Sequence, residues 1–253
     1  MTTATLSAPT VAGIPQHTEI PSELADSSRP DMDAALRDLR AKKEEWVQLG
    51  LADRRAILAE LIRDTTGIAG RWAEACREAE GIPAETSTAA EEWLAGPYMV
   101  LRNLQLLERA LMEIEREGQP RIPGPVKTRP NGQVTARVFP QSLTDRLFYT
   151  GFSAEVWMQP GVTADRLAET QAVAYKTSEP TSGVCLVLGA GNVSSIGAMD
   201  LLYKLFVENR VVILKMHPLN AYLGPILAEG FQALLDWGVL RIVYGGADVG
   251  AYL

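Results

Sequence analysis

Three short apolar runs late in the chain constrain its fold most. Val184 to Leu188 reads VCLVL, Val211 to Leu214 reads VVIL, and Leu240 to Tyr244 reads LRIVY. A strand with one face in water alternates apolar and polar residues. These runs do not, which is the pattern of strands covered by helices on both faces. Helical patterns separate them, Ile196 to Glu208 and then Tyr222 to Trp237, the second ended by Gly238. The order is β-α-β-α-β, a parallel α/β sheet, and right-handed crossovers bring all three strand C-termini to one edge. Open α/β sheets bind their ligands at that edge. The residues there are Gly189-Ala190-Gly191-Asn192, Lys215 to Pro218, and Gly245-Gly246.

The first half reads as helices. Asp31 to Leu49 carries Met32, Leu36, Leu39, Trp46 and Val47 at helical spacing. Asp53 to Thr66 places Ile57, Leu58, Leu61 and Ile62 on one face, and Arg71 to Glu80 forms a third short helix stopped by Gly81 and Pro83. Thr86 or Ser87 caps a fourth, which runs to about Gly118 and is kinked or broken by Pro97. Residues 119–132 hold four prolines and two glycines and read as a loop. Val134, Ala136 and Val138 alternate, as do Ala154, Val156 and Met158, which predicts two half-buried antiparallel strands. Thr163 to Tyr175 reads as a short helix. Residues 1–30 are rich in Thr, Ser, Ala and Pro without a period and read as a mobile or loosely docked tail.

Composition removes several functions. Asp and Glu number 31 against 24 Lys and Arg, a net charge of -7, which disfavours binding to a nucleic-acid backbone. No apolar run is long enough to cross a bilayer. Two cysteines, Cys76 and Cys185, and two histidines cannot build a disulfide scaffold or a Cys/His zinc site, so no metal is expected. The first basic residue is Arg29, so neither a secretory signal nor a mitochondrial leader is legible. A reducing, cytoplasmic setting is the expectation.

Individual motifs are ambiguous. Gly189-x-Gly191 begins a dinucleotide fingerprint, but Ser194 stands at its third glycine and the next glycine is Gly197. A tight strand-to-helix turn explains it equally. Lys215 ends an apolar strand, where it reaches either solvent or a phosphate or ribose. His217 is a loop histidine without a second ligand or nearby acid. Gly245-Gly246 is either a simple turn or a phosphate-facing one. Cys185 reads as core, and Cys76 has no evident activating base.

Taken in order, SEP-TSGVCLVLGAGN, a helix, ENRVVILK, a helix and GVLRIVYGGADVG resemble the aldehyde dehydrogenase superfamily across residues 179–253. The family pattern there is EP-x-GV, an apolar strand, P-W-N, a helix, GN-x-VV-x-K-P-x-E, a helix, then GV and a later VG. Residues 31–86 are similar to the family's N-terminal helices. After the tail at 1–30, the resemblance implies a helical part of the cofactor-binding domain at 31–132, a hairpin insertion at 133–178 and a dinucleotide-binding half-domain at 179–253. It implies NAD or NADP as cofactor, held by Leu188, Gly189, Ala190, Gly191, Lys215, His217, Pro218, Gly246 and Gly250. Asn192 resembles the oxyanion-hole asparagine, a catalytic group. Ala190-Gly191 replaces the family's Pro-Trp, and Pro218 stands where a ribose-binding glutamate is usual, so the choice between NAD and NADP stays open.

The family's nucleophilic cysteine and general-base glutamate fall beyond residue 253. The expectation is the N-terminal part of a longer, homo-oligomeric enzyme that oxidises a small aldehyde, with no nucleic-acid or membrane partner and no turnover by this chain alone. An acyl-CoA reductase of the same superfamily, or a non-catalytic binding or scaffold relative, is the alternative.

Overall fold

Ser28 starts the first helix: its hydroxyl accepts from the N–H of Asp31 at 3.3 Å, and Pro30 sits in the first turn, where a missing N–H costs nothing. In the computed structural model, which describes residues 24–253, this helix is α1, Arg29–Gln48. The expected tail at 1–30 lies outside the described residues as far as 23. Its remainder is ordered, because the Ser27 N–H donates to the Tyr244 carbonyl at 3.0 Å and Ser27 Oγ accepts from the Tyr244 N–H at 3.0 Å.

The second and third expected helices are one, α2, Leu51–Ala79. Gly67 and Gly70 do not interrupt it. Glycine costs a helix about 1 kcal/mol relative to alanine. The buried stripe continues through Ile68, Trp72, Ala73 and Cys76, and each large apolar side chain buried contributes about 1.5–3 kcal/mol. Next come α3, Ala89–Trp93, a π-helical turn at Leu94–Tyr98, and α4, Met99–Glu117. The break falls beside Pro97, at Gly96, whose φ of -102° and ψ of -110° leave the helix. A Cβ on Gly96 would lie 3.0 Å from Ser194 Oγ and 3.1 Å from Trp72 Nε1. Neither Thr86 nor Ser87 caps α3. Thr88 precedes it without a side-chain bond, and the Thr86 hydroxyl donates instead to the Pro83 carbonyl at 2.8 Å.

The middle of the chain forms an antiparallel sheet of three strands rather than a two-strand hairpin. They are β1, Val126–Thr128; β2, Val134–Phe139; and β3, Ala154–Trp157. Strand β1 lies inside the proline-rich loop, where Val126 pairs with Ala136. Ala136 also pairs with Val156, as the alternation predicts. The expected burial differs: Val134, Thr135 and Ala136 are all buried, and β3 is exposed throughout. A short helix, α5, Leu143–Phe148, interrupts the connection between β2 and β3. It is held by a capping box between Ser142 and Asp145 and by Arg102, which donates to both Asp145 oxygens at 2.9 and 3.1 Å. The helix expected over Thr163 to Tyr175 is a 3-10 turn, Leu167–Thr170, and a single turn α6, Val173–Lys176. Ala172 between them has φ 53°, which no continuous helix permits.

The last part is a parallel three-strand sheet in the order β4-β5-β6. Strand β4 is Val184–Leu188, followed by α7, Ile196–Phe206, and β5 is Val211–Lys215. A 3-10 turn at Pro218–Leu223 leads to α8, Gly224–Gly230, and α9, Gln232–Asp236. Strand β6, Leu240–Val243, and α10, Ala247–Tyr252, complete the described chain. The single helix expected over Tyr222 to Trp237 is thus divided after Gly230. A Cβ there would lie 2.6 Å from Ile68 Cδ1, so the glycine lets α2 approach. Strand β5 is buried along its length, as its unbroken apolar run requires, whereas β4 is only half-buried over most of its residues. Helix α1 lies across all three strands, α7 packs on β4 and β5, and α2 packs over α4, α8 and α9.

One cation pins these layers. Arg54, on α2, is 1% exposed and lies over the Trp46 ring, its Cζ 4.3 Å from the centroid. Its Nε donates to the Leu49 carbonyl at 3.0 Å, and its Nη2 donates to Asn209 Oδ1 at 2.5 Å and to the Trp46 carbonyl. It closes the C-terminus of α1 and fastens the turn before β5, where Asn209 has φ 59°.

Candidate functional site at the parallel strand ends

Leu188 pairs with Lys215, and Lys215 with Val243, so the three strands finish level. Two further bonds extend the ladder: Gly189 N–H donates to the Lys215 carbonyl at 2.8 Å, and Met216 N–H to the Val243 carbonyl at 2.9 Å. The loops expected from the sequence are therefore brought together.

Close packing between the first two loops explains their glycines. A Cβ on Gly189 would lie 3.1 Å from the Lys215 carbonyl oxygen and 3.2 Å from the His217 nitrogen. A Cβ on Gly191 would lie 2.5 Å from both Nδ1 and Cε1 of His217, so the imidazole occupies that space. Asn220 Nδ2 donates to the Ala190 carbonyl at 2.9 Å, a second tie between the same loops. His217 Nδ1 accepts from the Leu219 N–H at 3.2 Å and caps the 3-10 turn. Pro218 is exposed in the first position of that turn.

Lys215 is 7% exposed and forms no ion pair or side-chain hydrogen bond among the described residues. On the β6 side, Gly245 has φ 136°, a conformation only glycine adopts without strain. A Cβ there would meet Val249 at 2.4 Å and the Asp26 carboxyl carbon at 3.2 Å. Asp248 Oδ1 would be 3.2 Å from a Cβ on Gly246. Gly250 faces Leu188, whose Cδ2 would be 3.6 Å from its Cβ. The edge is thus divided: His217 packs on the β4 loop at Gly191, Lys215 ends β5 between the two neighbouring strands, and two carboxylates stand beyond β6.

Asn192 is exposed on the bend between β4 and α7. Two residues later, Ser194 Oγ accepts from the Trp72 indole N–H at 3.1 Å, which anchors the bend to α2. Beneath it lies Cys76, 1% exposed. Burial pushes its thiol up to about 11, with hydrogen bonds to Tyr222 and Ser194 pulling the other way less strongly. Burial likewise raises the Tyr222 hydroxyl and the Glu92 carboxyl beside it. A thiol so raised is protonated at neutral pH and is no nucleophile. Cys185, on β4, is partly buried.

Tyr222, Trp72 and Asn220 support this edge and were not singled out from sequence, and Ser194 was noted only as the residue that breaks the glycine fingerprint. No local pattern marks them, since their partners lie 30 residues away for Asn220 and 122 for Trp72. A separate cavity of about 620 Å³, lined by Leu111, Ile114, Tyr175, Phe206 and Asn209, lies by the turn that enters β5, away from the strand C-termini. Among the described residues no three His, Cys, Asp or Glu side chains converge as metal ligands, and no helix is long and apolar enough to cross a membrane.

No protein-family model matches the sequence, and no curated protein sequence matches it. Solved structures do match. The chain superposes on a glyceraldehyde-3-phosphate dehydrogenase from Methanocaldococcus jannaschii DSM 2661, complexed with NADP, at TM-score 0.54 and 12% identity, over 90% of this chain and 40% of that one. It has the fold of the aldehyde dehydrogenases. An NAD-dependent benzaldehyde dehydrogenase from Corynebacterium glutamicum gives TM-score 0.52 and 16% identity, over 90% of this chain and 38% of that one. An aldehyde dehydrogenase from Pseudomonas syringae, complexed with NAD+ and octanal, gives 0.51 and 14%, over 90% and 36%. The chain therefore spans less than half the length of these aldehyde dehydrogenases.

Proposed function

We propose that this chain supplies the nucleotide-binding part of an NAD(P)-dependent oxidoreductase that acts on an aldehyde. The observation that carries this reading is Lys215: a lysine 7% exposed overall, whose side chain has no hydrogen-bond acceptor among the described residues, at the ligand edge of a parallel sheet of aldehyde dehydrogenase fold. A ribose hydroxyl or phosphate bound at that edge supplies an acceptor for its ammonium. Two of the solved structures of this fold are complexed with NADP and with NAD+.

In this reading Lys215 donates to the adenosine ribose or its phosphate. Gly189, Ala190 and Gly191 let the nucleotide approach the backbone beside Leu188, and His217 and Pro218 border the ribose. Gly246 and Gly250 give room for the adenine and pyrophosphate. The nicotinamide, when bound, takes up hydride from the substrate carbon. Asn192 directs its amide to the carbonyl oxygen, where negative charge develops. The nucleophile is neither Cys76, which is buried and protonated, nor Cys185, which lies within a strand.

Calorimetric titration of NAD and NADP into the 253-residue chain and its Lys215→Ala variant tests this. Loss of one hydrogen bond to a charged group weakens binding by about 10- to 150-fold. Equal affinities in both proteins would remove the role of Lys215. Absence of nucleotide binding in the wild type would leave the non-catalytic scaffold reading.

A further inference from the structure

The cavity of about 620 Å³ at the entry to β5 carries a positive charge that the described residues do not balance. Its walls are apolar. Leu111 and Ile114 come from α4, and Phe206 and Val207 from the end of α7. Val207 is 40% exposed, so apolar surface there stands open to water. The volume lies in the range of small-molecule sites, about 300–1,000 Å³. Two guanidiniums stand at it, and neither meets a carboxylate among the described residues. Arg210 lines the cavity. Its Nη1 donates to the Ser182 carbonyl at 3.3 Å, and its Nε and Nη2 donate to no group among the described residues. Gly183 gives that guanidinium its place, since a Cβ there would fall on Nη1. Arg54 lies behind the wall that Tyr175 and Asn209 form, bonded to Asn209 Oδ1 and with its Cζ 5.7 Å from the centre of the Tyr175 ring. Its other partners are two backbone carbonyls, and its Nη1 has none among the described residues. The lining carboxylates leave both charges standing. Glu208 is held by Lys204 at 2.7 Å, and Glu179 is exposed, where water and salt screen it.

From this arrangement we infer that the cavity binds a monocarboxylate with an apolar body, its carboxylate on Arg210 and its body between α4 and α7. The Nε and Nη2 donors of an arginine are parallel and match the two oxygens of a carboxylate. A charge buried without a counter-charge is costly, and an anion seated in front of Arg54 offsets that cost through the low-dielectric wall. The walls select in the other direction. An inorganic anion would leave Leu111, Ile114 and Phe206 uncovered, and a neutral alcohol would leave the guanidiniums without a counter-charge. The lining residues precede β4 and β5, at the opposite end of the sheet from Lys215, so this site stands whether or not the strand edge binds a nucleotide.

Calorimetric titration of octanoate, 1-octanol and acetate into the 253-residue chain tests this. Two variants accompany it, and thermal melts check that each is folded. Arg210→Gln removes the charge at the rim. Val173→Glu, at a lining position 61% exposed, adds a carboxylate to the mouth without disturbing the core. Octanoate should bind at one site, about tenfold or more tighter than either 1-octanol or acetate, because only octanoate offers both the apolar body and the charge. Arg210→Gln should weaken octanoate by about tenfold or more and leave 1-octanol unchanged. Val173→Glu should weaken octanoate as well. Saturating NADP should leave the octanoate affinity as it was. Absence of octanoate binding would overturn the inference. So would equal affinities for octanoate and 1-octanol, since the guanidiniums would then select nothing. Octanoate affinity unchanged in both variants, or lost when NADP is added, would place the bound carboxylate elsewhere and overturn it too.

Discussion

Replacing Arg54 by methionine should destabilise the protein by about 3 kcal/mol. The variant keeps a long side chain over the Trp46 ring and ends three hydrogen bonds, to the Leu49 and Trp46 carbonyls and to Asn209 Oδ1. Trp46 and Asn209 are buried, so two acceptors lose their donors without access to water, at about 1–3 kcal/mol each. The lost cation–π contact adds about 1 kcal/mol. Against this, wild type buries a guanidinium whose pKa is pulled below its usual value by burial, and its Nη1 has no partner among the described residues. Relief of that strain returns about 2 kcal/mol. For a chain of this size, the net loss corresponds to a fall in Tm of about 6–12 °C, read by circular dichroism with a parallel urea melt. A double-mutant cycle locates the effect: in an Asn209→Ala background Arg54→Met should cost about 1 kcal/mol less or better, because one stranded acceptor is already gone. A Tm for Arg54→Met within about 2 °C of wild type would refute the reasoning. It would mean that a buried arginine without a carboxylate costs as much as its bonds return.

Two pH dependences follow from other buried groups. Asp145 accepts from Arg102, which holds its carboxyl below the usual value, with help from the Gln141 and Ser142 N–H groups; the stability it gives to α5 is present above the unfolded carboxylate value and is lost as pH falls through the lower folded one, and amide exchange in Leu143–Phe148 should accelerate there before global unfolding. Cys76 runs in the opposite direction: its stability contribution is complete below the unfolded thiol value and is lost as pH rises toward about 11, so iodoacetamide should label native Cys76 negligibly at pH 8 and unfolded chain fully.

The parallel sheet was legible because burial on both faces leaves no alternation to misread: VCLVL, VVIL and LRIVY map onto β4, β5 and β6 almost residue for residue. The break at Gly96-Pro97 was legible because proline removes a donor wherever it stands. What escaped depends on distant partners. Gly67 and Gly70 look like helix stops until Trp72 and Cys76 are seen to be buried beyond them. Helix α5 is six residues long and owes its place to Arg102, 43 residues before Asp145. At the strand ends, the glycines and Lys215 could be placed from topology alone. The ties that fix those loops, His217 on Gly191 and Asn220 on Ala190, could not, because each joins loops of different crossovers.

The pairing of Ser27 with Tyr244 joins residues 217 positions apart. During synthesis the ribosome delivers one half of that clasp well before the other, which follows only after the intervening chain has been made. The outer side of Tyr244, the residue after β6, is therefore left unpaired until Ser27, made 217 residues earlier, closes on it. The entropic charge for closing so long a loop grows only with the logarithm of its length. The clasp is thus slow to be reached rather than weak once made, and the interval before it closes is when a neighbouring nascent chain competes for the same edge.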